Sequence, residues 1–189
     1  VEVDQRIGQP ALAADEQRAQ AQAQRHRQEG ERRRPVLGDV LDALAKSGLL
    51  QDTILVGTAA YQCLSPIVGM TLPSATLTTQ DADLATASLA LSSDIDGESF
   101  ETILKRADPT FSAIPALKRN APPSSFRAAS GFVVDTLIPQ PRRDDANSMP
   151  LEKLKAGAVP LQYLRWLLEN AVPAAALHRS GIALRVPSP

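Results

Sequence analysis

A short apolar run that ends in glycine constrains the fold of this chain most strongly. TILVG, from Thr53 to Gly57, is β-branched and aliphatic and therefore predicts a strand, whereas the following TAAYQCL favours a helix. A glycine at this turn lets a phosphate approach the backbone, and the start of the helix offers amide groups and the Thr58 hydroxyl. Glycine also serves turn geometry in proteins that bind no nucleotide, so both interpretations of Gly57 stay open.

The pattern from Pro35 onward predicts an α+β domain. VLGDVLDALAKSGLLQD has apolar residues at near-helical spacing, with Gly48 where the helix should stop. QDADLATASLAL is a second strand candidate, and DGESFETILKRAD is predicted to be a helix capped by Asp96 or Ser93. Strand signals then dominate. They comprise a hairpin in SFRAASGFVVDTLIP around Ala129 to Gly131, the ambiguous segment LQYLRWLLEN, and two strands in AAALHRSGIALRVP around His178 to Gly181.

The first 34 residues differ from the rest of the chain. From Ala11 to Arg34 the sequence is rich in Ala, Gln, Arg and Glu, which favours helix but gives almost no apolar stripe to bury. The basic run ERRRP could contact phosphate, although such a run is more often a solvated helix end. We therefore expect a polar helical or flexible extension over residues 1–34 and a globular domain over residues 35–189.

Composition excludes several classes of protein. With 20 Lys and Arg against 21 Asp and Glu, the chain has no overall charge that would attract nucleic acid or an anionic membrane. The single cysteine, Cys63, lies among apolar residues and excludes an internal disulfide framework or a Cys-rich zinc site. No apolar run approaches the roughly 20 residues of a membrane span, and the start VEVDQ is unlike a signal peptide. A cytoplasmic protein is expected.

Familiar catalytic signatures are absent from the sequence. There is no GxxxxGK[ST] phosphate loop, no GxGxxG, no HExxH and no CxxC pair. A Ser-His-Asp triad would have to use His178, because the other histidine, His26, lies in the polar extension. LHRSG is typical of a hairpin turn, in which a surface histidine needs no catalytic explanation.

Acidic residues are the better candidates for chemistry. Asp81 and Asp83 lie two positions apart in a predicted strand, so their carboxylates share a face about 7 Å apart. Such a pair suits Mg²⁺, which takes one or two carboxylates and completes its shell with water and phosphate oxygens. Asp135 interrupts an apolar strand and could meet the pair if the two strands are neighbours. A solvent-facing strand explains the first pair equally well, and the second such pair, Asp94 and Asp96, is typical of a turn and helix cap.

Three segments taken in order resemble a known family. LVGTAAY, TTQDADLA and GFVVDTLIP are similar to the nucleotidyltransferase domain of the DNA polymerase beta superfamily, in particular to a bacterial group of stand-alone nucleotidyltransferase-like proteins. The similarity runs from about Leu37 to the end and implies a mixed β-sheet flanked by helices. It implies that Gly57 and Thr58 bind the nucleotide. It also implies that three acids, Asp81, Asp83 and Asp135, ligate the metal and are catalytic.

The resemblance implies a metal-dependent transfer of a nucleoside monophosphate from a nucleoside triphosphate to an acceptor hydroxyl. Mg²⁺ or Mn²⁺ would be the cofactor, and the acceptor could be RNA, protein or a small molecule. Arg127, Lys118 and Arg119 are candidates for phosphate contact, although solvated surface charges are the more common interpretation. Relatives continue from the strand of LRVPSP into a helix, so a C-terminally truncated domain is also expected.

Two other functions fit the same sequence. The domain could be a non-catalytic module that senses nucleotide or binds a partner, which would give nucleotide binding without pyrophosphate release. It could instead be an interaction protein that assembles through the polar N-terminal helix, with the acids as ordinary surface residues.

Overall fold

The computed structural model describes residues 37–70, 79–91, 97–116, 118–141 and 147–189. All of them belong to a compact unit that extends from Pro35 to Pro189. The predicted N-terminal extension, residues 1–34, lies outside the described residues, as do Asp94, Asp96 and Ser93.

The described residues form short helices around a set of strands. The helices are α1 (Leu37–Lys46), α2 (Gly57–Gln62), α3 (Ser65–Val68), α4 (Phe100–Lys105) and α5 (Leu164–Glu169), with 3-10 turns at Leu49–Gln51 and Glu152–Leu154. The strands are β1 (Ile54–Val56), β2 (Asp81–Ala85), β3 (Ser112–Ala113), β4 (Ser125–Arg127), β5 (Val133–Pro139), β6 (Met149–Leu151), β7 (Ala156–Leu161), β8 (Ala171–Ala176) and β9 (Ile182–Pro187).

Helix α1 forms as its sequence predicts. Its buried side chains include Val40, Leu41 and Leu44, one stripe of the helix, and Lys46 in the last turn complements the helix dipole. Gly48 follows with φ 78°, a left-handed conformation that glycine adopts without strain. The predicted helix end is therefore confirmed.

Helix α4 begins later than the sequence predicts. Its cap is Ser99, whose hydroxyl accepts a hydrogen bond from the amide of Thr102 at 3.2 Å. The proposed caps, Asp96 and Ser93, precede that position, so the prediction that one of them caps this helix is wrong. Ser99 has this role because it directly precedes the first helical residue, Phe100, with an extended backbone and a side-chain oxygen that can accept from the first turn.

Seven strands form one mixed sheet, and β5 is its central member. The order is β1-β2-β5-β4-β3, with β7 also paired to β5 and β6 paired to β7. β2 and β5 are parallel, whereas β1 and β4 run antiparallel to their neighbours. The predicted α+β class and mixed sheet are confirmed.

The sheet has two unequal faces. One face carries the main core, in which the rings of Phe100 and Phe126 pack edge to face at 5.1 Å. The other face carries a smaller cluster, in which Leu164 and Leu168 of α5 cover Ile54. The acidic side chains of β2 and β5 lie on this second face, because their neighbours in each strand are buried in the main core.

The last two strands form a separate hairpin. β8 and β9 pair antiparallel, from Ala176↔Ile182 at the turn to Ala171↔Pro187, and their buried residues join the main core. Both predicted hairpins, around residues 129–131 and 178–181, are confirmed. The ambiguous segment LQYLRWLLEN divides between β7 and α5.

Cys63 is packed in the core, as its apolar sequence neighbours predict. Cys63 is buried, and desolvation raises the pKa of its thiol to about 11, as expected of a packed and unreactive cysteine. Within the described ranges, no helix combines the length and the apolar character that crossing a bilayer requires.

Candidate active site

The turn between β1 and α2 is shaped for a glycine. Gly57 has φ +69°, and a Cβ added to it would overlap Oδ2 of Asp83. The backbone and the carboxylate are therefore in direct contact. Gly57 and Thr58 are both exposed, which leaves the start of α2 accessible to a ligand. Because α2 has only six residues, backbone amides matter more here than a helix dipole.

Asp83 reaches this turn because of the pairing of β1 with β2. Val56, the residue before Gly57, is the antiparallel partner of Asp83. Ala82 and Leu84 are buried in the main core, so the alternation along β2 turns Asp83 to the opposite face. Asp83 is partly buried there and Asp81 is exposed.

Asp135 is the neighbour of Asp83 across the sheet. The two residues are register partners on the parallel strands β2 and β5, and partners in a ladder share a face. Val134 and Thr136, on either side of Asp135, are buried on the other face. Residues that are remote in sequence, Gly57, Asp83 and Asp135, are thus brought together.

Asp81 is placed differently from the other two acids. Its carboxylate accepts a hydrogen bond from the hydroxyl of Thr79, which also lies 3.4 Å from the Asp81 amide nitrogen. Among the described residues, no group of three or more His, Cys, Asp and Glu side chains is arranged to hold a metal ion. The predicted three-carboxylate site therefore stays a prediction, with two of its members adjacent.

A comparison with protein families places this geometry in context. The sequence model of a family described as Nucleotidyltransferase matches residues 36–189. The chain belongs to that nucleotidyltransferase family. The match confirms the resemblance noted in the sequence, and it spans all five candidate residues. Neither the comparison with curated proteins nor that with solved structures gave a match.

The site of this nucleotidyltransferase domain concentrates negative charge. The pKa of Asp83 is raised to about 6, first by burial and then by the charges of Asp81 and Asp135. Such crowding is unfavourable unless a cation neutralises it. Hard carboxylate oxygens beside an open turn match the preference of Mg²⁺ for a few carboxylates together with phosphate and water oxygens. The chemistry of the donors therefore fits a divalent cation.

Of the three basic residues predicted to contact phosphate, the strand register puts Arg127 on the face that carries the acids. Arg127 pairs with Val133, which pairs in turn with Asp81, so Arg127 lies on the acidic face two strands from Asp81. Lys118 donates from Nζ to Oδ1 of Asn147 at 3.1 Å, and Arg119 is exposed. Phosphate contact by these three residues stays a prediction.

His178 is less exposed than its turn sequence indicates. Its side chain is 20% exposed, and Nε2 lies 3.3 Å from Oδ1 of Asp39 in α1. A Cβ added at Gly38 would overlap the imidazole ring. The expectation of a surface histidine is therefore wrong, because the β8–β9 hairpin folds back onto α1, and the close packing gives this histidine a structural role.

Thr79 is the site residue that the sequence interpretation missed. A threonine hydroxyl commonly bonds to the backbone two residues further along the chain, and in TTQDADLA that residue after Thr79 is Asp81. The pattern was visible, but only the structure identifies Asp81 as the residue that Thr79 holds.

Proposed function

We propose that the domain transfers a nucleoside monophosphate from a nucleoside triphosphate to an acceptor hydroxyl, with Mg²⁺ or Mn²⁺ as cofactor. The observation that carries the proposal is the register pairing of Asp83 with Asp135 beside Gly57. Membership of a nucleotidyltransferase family supports the reaction class.

The phosphates of the donor would bind at the turn. Gly57 has no side chain to obstruct a phosphate, and Thr58 offers a hydroxyl and an amide at the exposed start of α2. A triphosphate bound there would lie next to Asp83, whose carboxylate contacts Gly57.

Asp81, Asp83 and Asp135 would hold the divalent cation. When bound, Mg²⁺ supplies positive charge for the phosphate oxygens and for the carboxylates. The Thr79 hydroxyl bonds to one oxygen of the Asp81 carboxylate and would hold it in place, while the remaining lone pairs of that carboxylate face the cation. Thr79 would then be a positioning residue.

Asp135 would take the proton. The acceptor oxygen forms a bond to the α-phosphorus, the bond from that phosphorus to the β-phosphate oxygen breaks, and pyrophosphate leaves. The proton of the acceptor hydroxyl passes to a carboxylate oxygen of Asp135 and from there to water. RNA, protein and small molecules all carry suitable hydroxyls.

Titration calorimetry of the full chain tests the proposal. We expect ATP, CTP, GTP or UTP to bind with Mg²⁺, and Asp83→Asn to weaken this binding by at least about tenfold, the effect of losing one charged ligand. Glu101→Gln is the control, because Glu101 only pairs with Lys105 on the surface. Nucleotide affinity that is equal in parent and Asp83→Asn would contradict the assignment.

A non-catalytic nucleotide-sensing module is the second candidate. It is favoured by the engagement of Asp81 with Thr79, because Asp83 and Asp135 would then be left to hold a cation for nucleotide binding alone. Pyrophosphate release distinguishes the two functions. A sensor binds Mg²⁺ and nucleotide but releases no pyrophosphate with any acceptor, whereas the enzyme releases it.

The proposed setting is the cytoplasm, where nucleoside triphosphates and Mg²⁺ are both supplied. Any partner protein that binds through residues 1–34 is a separate question from the chemistry of the acids.

A further inference from the structure

A groove opens where the edge of β5 changes its partner. Val133–Asp135 pair with β4, whereas Leu137–Pro139 pair with β7, so one strand leaves and another joins at Thr136. The groove has a volume of about 420 Å³, within the range of small-molecule sites. Its lining includes Ile114, Lys118, Ser125, Asn147, Ser148 and Val159.

The groove lies beside the proposed active site, on the same face of the sheet. Ser125 is the register partner of Asp135, and Val159 is the partner of Leu137. Partners share a face, and so do residues two positions apart in a strand. A molecule in the groove would therefore reach Asp135 from the side opposite to β2, on which Asp83 lies.

The walls of the groove are held by bonds within the fold. The carbonyls of residues 122–124 accept hydrogen bonds from Ser148 Oγ (3.3 Å), the Gly157 amide (2.7 Å) and Thr136 Oγ1 (3.0 Å), in that order. A Cβ added at Gly157 would overlap Ser148 Oγ and lie 2.6 Å from the carbonyl of Pro122. The groove is therefore preformed, which lowers the cost of binding a ligand.

The lining combines apolar walls with a few polar groups. Ile114 and Val159 offer aliphatic surface, and Ser125 offers a hydroxyl next to Asp135. Lys118, the only charged side chain among the described lining residues, brings a positive charge beside the Asn147 amide. This set matches a ligand with a hydroxyl and one anionic group, and the volume is too small for a folded protein domain.

We propose that this groove binds the acceptor substrate and that the acceptor is a small organic alcohol with an anionic group. The inference rests on the proposed function, because it assigns the acceptor hydroxyl to Asp135 and the anion to Lys118. The donor phosphates bind at Gly57, on the other side of Asp135. An in-line attack needs this arrangement, with acceptor and pyrophosphate on opposite sides of the α-phosphorus.

The test uses glycerol 3-phosphate as the probe and glycerol as its uncharged counterpart. Amide resonances of the ¹⁵N-labelled full chain are followed during each titration, without nucleotide. We expect glycerol 3-phosphate to shift the amides of Ser125, Asn147 and Ser148 with millimolar affinity, and glycerol to bind at least about fivefold more weakly. No shift at these amides up to 20 mM probe would overturn the proposal.

Two lysine variants sharpen the result. Lys118→Gln should weaken probe binding about tenfold, the effect of one charge-assisted hydrogen bond. Lys46→Gln, which removes a surface charge paired with Asp42 on α1, should leave it within twofold. Equal affinity of the two variants would contradict the role of Lys118.

Binding of Mg²⁺ and ATP to the same variants separates this inference from the proposed function. This inference assigns Lys118 to the anionic group of the acceptor and not to the phosphates of the nucleotide, so Lys118→Gln should bind ATP as the parent does, and ATP should not displace the probe. Displacement by ATP would show that the groove holds the nucleotide and would overturn the acceptor assignment. If the parent chain binds neither Mg²⁺ nor ATP, the proposed function is refuted, whatever the result of the probe titration.

Discussion

The two faces of the mixed sheet use adjacent residues for opposite purposes. On β5, Val134 is buried in the main core, whereas its neighbour Asp135 faces the proposed active site. On β2 the same alternation separates Leu84 from Asp83. One face thus supplies most of the stability, and the other can hold like charges whose proximity is unfavourable. Stability and function should therefore respond differently to substitutions on the two faces.

The largest effect on stability should come from the core face. Phe126→Ala removes a buried ring that packs against Phe100, and we expect it to lower the free energy of unfolding by about 4 kcal/mol. Urea unfolding measures the loss. The next residue, Arg127, is exposed, so Arg127→Ala should change stability by less than about 0.5 kcal/mol. Equal losses in the two variants would refute the division between faces.

On the opposite face, Asp135→Asn should affect rate rather than stability. Loss of the proton acceptor is expected to reduce pyrophosphate release about 10³-fold, the usual size of a general-base contribution. Unfolding in urea should be unchanged or shifted to higher denaturant, because a partly buried charge is removed. A variant with full activity would show that Asp135 takes no part in the reaction.

An intermediate effect is expected at the turn that follows β1. Gly57→Ala introduces a Cβ that overlaps Asp83 Oδ2 in a left-handed backbone, which should cost about 2 kcal/mol and weaken nucleotide binding. Gly181 also has positive φ, but no described atom lies within 4 Å of an added Cβ. Gly181→Ala should therefore cost only about 1 kcal/mol of backbone strain. Thermal unfolding and ATP titration of both variants provide the comparison.

The smallest effect is a pH dependence of stability that originates at Asp83. In the unfolded chain this carboxyl ionises near 3.8, whereas the folded domain keeps the proton up to about pH 6. The free energy of unfolding should therefore fall as pH rises from 4 to 7. We expect a fall of about 1 kcal/mol, because solvent screens this partly exposed group.

Two controls isolate that contribution. Asp83→Asn should remove the pH-dependent part, and Mg²⁺ at pH 7.5 should raise the melting temperature of the parent more than that of the variant. The same dependence of the free energy of unfolding on pH in parent and Asp83→Asn, from pH 4 to 7, would show that Asp83 does not carry this unfavourable charge.

Local signals in the sequence were sufficient for turns and helices. The glycine that ends α1 and the hairpin turns are properties of a few neighbouring residues, so the sequence predicts them directly. A hairpin centred on Ser130 also makes Ser125 and Asp135 equidistant from the turn, and they are register partners. The sequence therefore contained a signal for one neighbour of Asp135.

Contacts between residues far apart in the chain could not be predicted from such local signals. The pairing of Asp83 with Asp135 joins strands 52 residues apart, and the family resemblance suggested it while no local pattern required it. The packing of His178 on Gly38 and the groove at the partner change of β5 depend on how distant segments dock. Such contacts are decided by the burial of the whole chain.

The double pairing of β5 has a consequence for motion at the site. A strand that is hydrogen-bonded to neighbours on both edges opens less readily than an edge strand, so we expect the amides of β5 to exchange with solvent more slowly than those of β1. The three-residue β1 and the exposed turn after it have fewer bonds to break. Asp135 thus lies on a strand that opens slowly. Any adjustment to nucleotides of different shape would come from movement of the Gly57 turn.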